Sequence, residues 1–246
     1  MIKNIVNITF VTASFCYIYI QKIAKNLRLI HFILILLLLQ CKVWSQHTTN
    51  LNVKVDIENH LLYVQQEIYF ENNSNENINF IILNDWNNAF SSKNSALAKR
   101  FSDEFSRIFH LAKEEDRGFT KINSIVDENF NQINWERYED RVDLIQLNLN
   151  KTILPFSKQK ILLNYILKIP NEKFTKYGFD SSGKLFLKDC FLSISRYENK
   201  KFITQSNENL DDISNALCSY KVAIEIPKDY QVFSDMSQNA FHEDLD

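Results

Sequence analysis

The sequence predicts a mainly β fold: an antiparallel sandwich with one inserted amphipathic helix, preceded by a signal-type apolar helix. Three observations carry this expectation. Apolar residues alternate with polar ones in several separate stretches, the signature of half-buried strands. One segment alone, about residues 95–117, repeats its apolar residues at helical spacing. Ahead of both lies a short apolar run next to basic residues.

The strands come in order. Leu51, Val53, Val55 and Ile57 alternate, and so do Leu62, Val64, Ile68 and Phe70 after the polar Asn59-His60. Period two on both sides of a short polar turn predicts an antiparallel hairpin. Gln66 interrupts its apolar face once. Ile145, Leu147 and Leu149 predict a third strand, and Ile161, Leu163, Tyr165 and Leu167 a fourth. Leu154-Pro155-Phe156-Ser157 turns the chain between them. Residues 185–195 read as a further strand, and Tyr220, Val222, Ile224 and Ile226 as a last one, stopped by Pro227.

In the helical segment, Leu97, Phe101, Phe105, Ile108 and Ala112 fall on one arc. That arc predicts a core-facing stripe, with Arg117 in the last turn and Gly118 at the left-handed C-terminal position. His110 and Glu114, four residues apart on the opposite face, then form a solvated pair.

The N-terminus reads as a leader, residues 1–45, with one β domain at 46–246. Leu29–Leu39 is an apolar run of signal length, and Lys22, Lys25 and Arg28 supply its positive flank. Ser45 offers a small residue for cleavage before Gln46. A membrane-spanning helix needs roughly 20 apolar residues, and Gln40 and Lys42 interrupt this run first. An uncleaved anchor is the second reading, and the chain would then meet a membrane only through this leader. Lipid attachment at Cys41 is a third, against which Gln40 stands where a small residue belongs. The second apolar stretch, Ile5–Ile20, points to a translation start set upstream of the true one, or to a membrane hairpin. The expected location is exported: periplasmic, outer-membrane-associated or secreted.

Charge excludes one class of partner. The first 45 residues hold five basic side chains and no acidic one. The remainder has 23 basic residues against 30 acidic ones, a net of −7. Nucleic-acid binding rests on neutralising phosphates, and no basic stripe with interleaved aromatics occurs, so no nucleic-acid partner is expected.

No catalytic or metal site assembles from the sequence. A zinc site of the His-Glu-x-x-His type needs two histidines one helical turn apart. Among five histidines, only His242-Glu243 begins that pattern, and its fifth position is Asp246. No glycine-rich phosphate loop or Gly-x-Ser-x-Gly elbow is present. Cys190 and Cys218 are the cysteines outside the leader. In an oxidising compartment they form a disulfide worth about 3–4 kcal/mol in the chain-entropy model. Two buried free thiols are the equal alternative, since spacing does not fix their separation.

Three blocks carry a family resemblance: Leu83-Asn84-Asp85-Trp86-Asn87-Asn88-Ala89-Phe90, Leu97–Phe105 and His110–Gly118. With Phe174–Phe179 and Asn209–Asp212, they resemble exported bacterial zinc metallopeptidases of the aminopeptidase-N-like gluzincin type, in a Bacteroidetes branch. The resemblance spans about residues 50–235 and is strongest through the helical insert. It implies a saddle-like β-sandwich that packs on, and partly walls, a catalytic domain in cis. It further implies that the zinc and its ligands belong to that following domain, so this chain holds no cofactor and looks truncated before it. The alternative is a stand-alone periplasmic or surface β-sandwich that binds a protein or peptide.

Overall fold

The computed structural model describes residues 47–138, 140–206, 208 and 213–235. All of these lie within one compact unit, Ser45–Asp246. The apolar leader, the Ser45–Gln46 junction, Asn209–Asp212 and His242 fall outside the described residues.

The chain is mainly β, and among the described strands the ladders are antiparallel except for that of β13 with β1 in the larger sheet. Strand β1 (His47–Asp56) and β2 (Leu61–Glu71) form the expected hairpin, with Val53 opposite Val64 and Val55 opposite Leu62. The loop closes where Asp56 accepts a hydrogen bond from the Asn59 amide and His60 takes a left-handed φ of 55°. Strand β3 is Ile78–Asn84, β4 Phe119–Asp127, β5 Asn134–Arg137, β6 Leu144–Ile153 and β7 Lys158–Lys168. Short pieces follow: β8 Gly178–Phe179, β9 Leu185–Phe186, β10 Ser193–Ile194, β11 Tyr197–Glu198 and β12 Lys201–Phe202. Strand β13 is Cys218–Glu225.

Two larger sheets result. One has the order β13-β1-β2-β7-β4, with β13 running parallel to β1; the other is β10-β3-β6-β5. Leu62, Val64 and Ile68 of β2 and Ile161, Leu163 and Leu167 of β7 join one buried cluster with Ile81–Leu83 of β3 and Leu144, Ile145 and Leu147 of β6. The Leu154–Ser157 segment does turn the chain, but it carries it from one sheet to the other: β6 pairs with β3 and β5, and β7 with β2 and β4. The stretch at 185–195 is two short strands, β9 and β10, in different sheets.

The inserted helix is shorter than its periodicity predicts. Helix α1 covers Ala96–Asp103, started by Ser95, whose hydroxyl accepts from the Ala98 amide. Leu97, Ala98 and Phe101 are buried as expected. The helix then stops at Phe105, which takes a left-handed φ of 57°, while Ser106 N–H bonds back to Phe101 O at 2.8 Å. That is a Schellman-type ending built without glycine. Packing explains the stop. Phe101 and Phe109 stack with ring centroids 5.5 Å apart and planes 3° apart. A continuous helix would separate residues eight apart by about 12 Å along its axis, so this contact requires the chain to turn back. Phe109 is buried in place of Ile108, which is half-exposed.

Gly118 is not the helix cap. Its role is close packing: a Cβ there would lie 2.8 Å from Pro170 Cδ and 2.9 Å from Lys168 O. Arg117 does not end a helix either; a three-residue 3-10 turn, Glu114–Asp116, precedes it. His110 is not a solvated partner of Glu114. Its Nε2 lies 2.8 Å from Ser102 Oγ and 3.0 Å from Ala98 O, folded back onto α1.

Candidate functional site

A dense polar constellation lies where β3 ends, in the Asp85-Trp86-Asn87-Asn88 segment. These residues form a short 3-10 turn, Trp86–Phe90, with Asp85 as its cap. All are buried. Asp85 Oδ1 accepts from Thr120 Oγ1 at 2.6 Å and from the Asn88 amide at 3.2 Å, and Oδ2 accepts from Arg137 Nη2 at 2.5 Å. Asn88 donates to Val142 O at 2.7 Å and accepts from the Thr120 amide at 3.0 Å. Asn87 donates to Phe119 O at 2.7 Å and to Lys168 O at 3.1 Å, and accepts from Tyr177 Oη at 2.8 Å.

This arrangement binds strands, not ligands. The Asp85, Asn87 and Asn88 side chains reach the backbone or side chains of neighbouring elements, so β3, β4, β5 and β7 are tied at one point. Burial raises the Tyr177 phenol well above its ordinary range, so it stays protonated and serves as a donor to Asn87. A buried polar group costs free energy unless it is bonded; those of Asp85, Asn87 and Asn88 are bonded, whereas the Trp86 indole N–H is buried with no hydrogen-bond partner.

A second lock joins the two sheets. Gln66, the residue that breaks the apolar face of β2, donates to Leu192 O at 2.7 Å and accepts from Tyr165 Oη at 2.6 Å. Tyr165 Oη in turn accepts from the Leu192 amide at 3.3 Å.

Around the insert, Arg117 is buried. Its Nη2 donates to Phe109 O at 2.5 Å and its guanidinium lies 4.4 Å from the Phe109 ring centre. Phe109 also meets Phe174 edge-on at 5.0 Å, and Phe90 packs on Tyr177 at 5.6 Å. This aromatic group fixes the return of the chain after α1. It leaves three apolar side chains facing water within seven residues: Phe105 at 96% exposure, Ile108 at 40% and Leu111 at 77%. The helical periodicity predicts Phe105 and Ile108 in the core and gives no sign of this surface; the left-handed turn at Phe105 carries no local sequence signal.

Among the described residues, Cys190 and Cys218 are free thiols. Cys190 is buried ahead of β10, and Cys218 is half-buried at the start of β13, where its Sγ lies 3.2 Å from Thr49 Oγ1. Burial pushes the Cys190 thiol up to about 12 and raises that of Cys218. Thiols held protonated in this way are poor nucleophiles and poor metal ligands. Among the described residues, no three His, Cys, Asp or Glu side chains gather where an ion could be held. No helix of the described residues is long and apolar enough to cross a membrane.

No family model matches the chain, and no curated protein matches it. Among solved structures, a two-domain M1 zinc metallopeptidase mutant bound to L-arginine aligns at TM-score 0.30 and 11% identity, over 51% of this chain and 20% of its own. The M1 zinc metallopeptidase from Deinococcus radiodurans aligns at TM-score 0.28 and 10% identity, over 51% and 20%. Yeast LTA4 hydrolase in complex with bestatin aligns at 0.26 and 7%, over 52% and 17%. The chain thus spans about a fifth of the length of these structures. Likeness at this level says nothing of activity.

Proposed function

We propose that this chain is the non-catalytic β-sandwich domain of an exported zinc aminopeptidase-like protein, and that it packs on a catalytic domain in cis. The observation that carries the reading is the fate of the block that resembles those peptidases. Asp85, Asn87 and Asn88 spend their polar groups on neighbouring strands, and Trp86 and Phe90 are core residues. The resembling residues are therefore architectural. The insert that follows presents Phe105, Ile108 and Leu111 to water, which suits a surface meeting a neighbouring domain better than a lone monomer.

In this role the domain supplies a wall and a docking face, and the zinc chemistry belongs to its neighbour. Dye binding tests the docking face. Residues 45–246, folded, should bind a hydrophobic dye, and Phe105→Ser with Leu111→Ser should remove most of the signal without unfolding the sheets. Absence of dye binding in the unaltered domain would favour an independent, patch-free binding module.

A further inference from the structure

The larger sheet ends in an eight-residue strand whose pairing to β1 is regular from His47↔Cys218 to Lys54↔Glu225, with no bulge. Among the described residues, no strand lies on its outer side. Long, regular edges of this kind are templates for a further strand unless something blunts them. Ile224 is 41% exposed on this edge.

The phase of the edge follows from one hydrogen bond. His47 N–H bonds to Leu217 O at 3.2 Å. In a parallel ladder the residue that faces His47 is then bracketed by its hydrogen bonds. Ser219, Lys221, Ala223 and Glu225 therefore turn their amides and carbonyls towards β1. Cys218, Tyr220, Val222 and Ile224 turn theirs outwards. An added antiparallel strand must bond to this second set.

That constraint leaves few registers for a second copy of the same strand. A two-fold centre at Lys221 sets Lys221 against Lys221, which is repulsive. A centre at Val222 sets Lys221 against Ala223. A centre at Ala223 sets Lys221 against Glu225 twice, Val222 against Ile224 twice, and Tyr220 against Ile226 twice. In that register Val222 and Ile224 form hydrogen-bonded pairs, as their outward groups require. Directly opposite charges and matched apolar pairs both stabilise adjacent strands. Glu225 is already 2.9 Å from Lys54, and both side chains are about two-thirds exposed, at 63% and 65%. The partner's lysine would join that pair on the open face. Pro227 does not obstruct the pairing, because its position belongs to the set that faces inwards.

We propose that β13 is a homodimerisation edge: two copies of this chain pair antiparallel about Ala223 and join their five-stranded sheets into one. The proposal concerns a different surface from Phe105, Ile108 and Leu111.

Sedimentation of residues 45–246 across a concentration series tests it. A dimer is expected. Lys221→Glu alone and Glu225→Lys alone should each weaken it about tenfold or more, because each places like charges opposite one another at two points. Mixing the two variants should restore the dimer as a heterodimer, since every cross-strand pair is then of opposite sign. Val222→Pro removes an outward amide and should abolish pairing while circular dichroism still reports the folded sheets. Phe105→Ser with Leu111→Ser should leave the dimer unchanged. A monomer at high concentration overturns the proposal, as does a dimer indifferent to the charge variants or a mixture that fails to recover.

Discussion

Arg137 Nη2 lies 2.5 Å from Asp85 Oδ2, so the last residue of β5 is held to the residue after β3 across the intervening β6. The carboxylate is fully buried, and the guanidinium largely so. Removing one partner of such a pair leaves an uncompensated charge inside the protein. Arg137→Ala should therefore destabilise the domain by about 3–5 kcal/mol. Asp85→Ala should cost at least as much, because Thr120 and the Asn88 amide lose their acceptor too. Urea unfolding of residues 45–246 followed by far-ultraviolet circular dichroism measures both; losses below 1 kcal/mol would show that the network is dispensable.

Gln66 and Tyr165 should act as one unit. Gln66→Leu strips the Tyr165 hydroxyl and the Leu192 carbonyl of partners, and Tyr165→Phe strips Gln66 and the Leu192 amide. Each change should destabilise by about 1–3 kcal/mol. The double variant should lose less than the sum, with a coupling of at least about 0.5 kcal/mol. Additive losses would mean that the two side chains stabilise the sheets separately.

Gly178 has a φ of 141°, and a Cβ there would lie 2.2 Å from Pro170 O and 2.6 Å from Glu172 N. Neither the backbone angle nor the space admits a side chain. Gly178→Ala should cost roughly 1–3 kcal/mol through strain alone. Each kcal/mol corresponds to about 2–4 °C in Tm for a domain of this size. An unchanged melting curve would be incompatible with this packing.

His47 should make stability depend on pH. Burial lowers its pKa from 6.5 to about 4, against a smaller opposing effect of Glu71. Its Nδ1 accepts from the Glu71 amide at 3.1 Å, a bond that requires that nitrogen to be unprotonated. Between pH 6.5 and 4 the unfolded chain binds the proton and the folded chain does not, so stability falls as pH drops through that window. The contribution lost is on the order of 3 kcal/mol. His47→Gln should flatten the profile over that range relative to the unaltered domain; parallel profiles would place the pH dependence elsewhere.

The strands that the sequence makes legible are those buried on one face. β1, β2 and β7 alternate because one side packs inwards and the other meets water, and β13 does so as far as Ala223. β3 lies between β10 and β6, and Ile81, Ile82 and Leu83 are all buried, so no alternation marks it. β4 does alternate, but the bulge between Ile122 and Ser124 shifts its phase midway. The periodicity overextends the helix because Phe109 and Ile108 exchange roles once the chain turns at Phe105, a turn set by tertiary ring stacking. The polar hub at Asp85 has no period at all. It is visible only when Thr120, Arg137 and Tyr177 arrive from distant parts of the chain.

The most direct test of the account is metal content together with peptidase activity. The purified folded chain, incubated with zinc and aminoacyl-anilide substrates, should retain no stoichiometric zinc after gel filtration and should match the blank. Hydrolysis that a chelator abolishes and added zinc restores, with one zinc per chain, would contradict a non-catalytic domain.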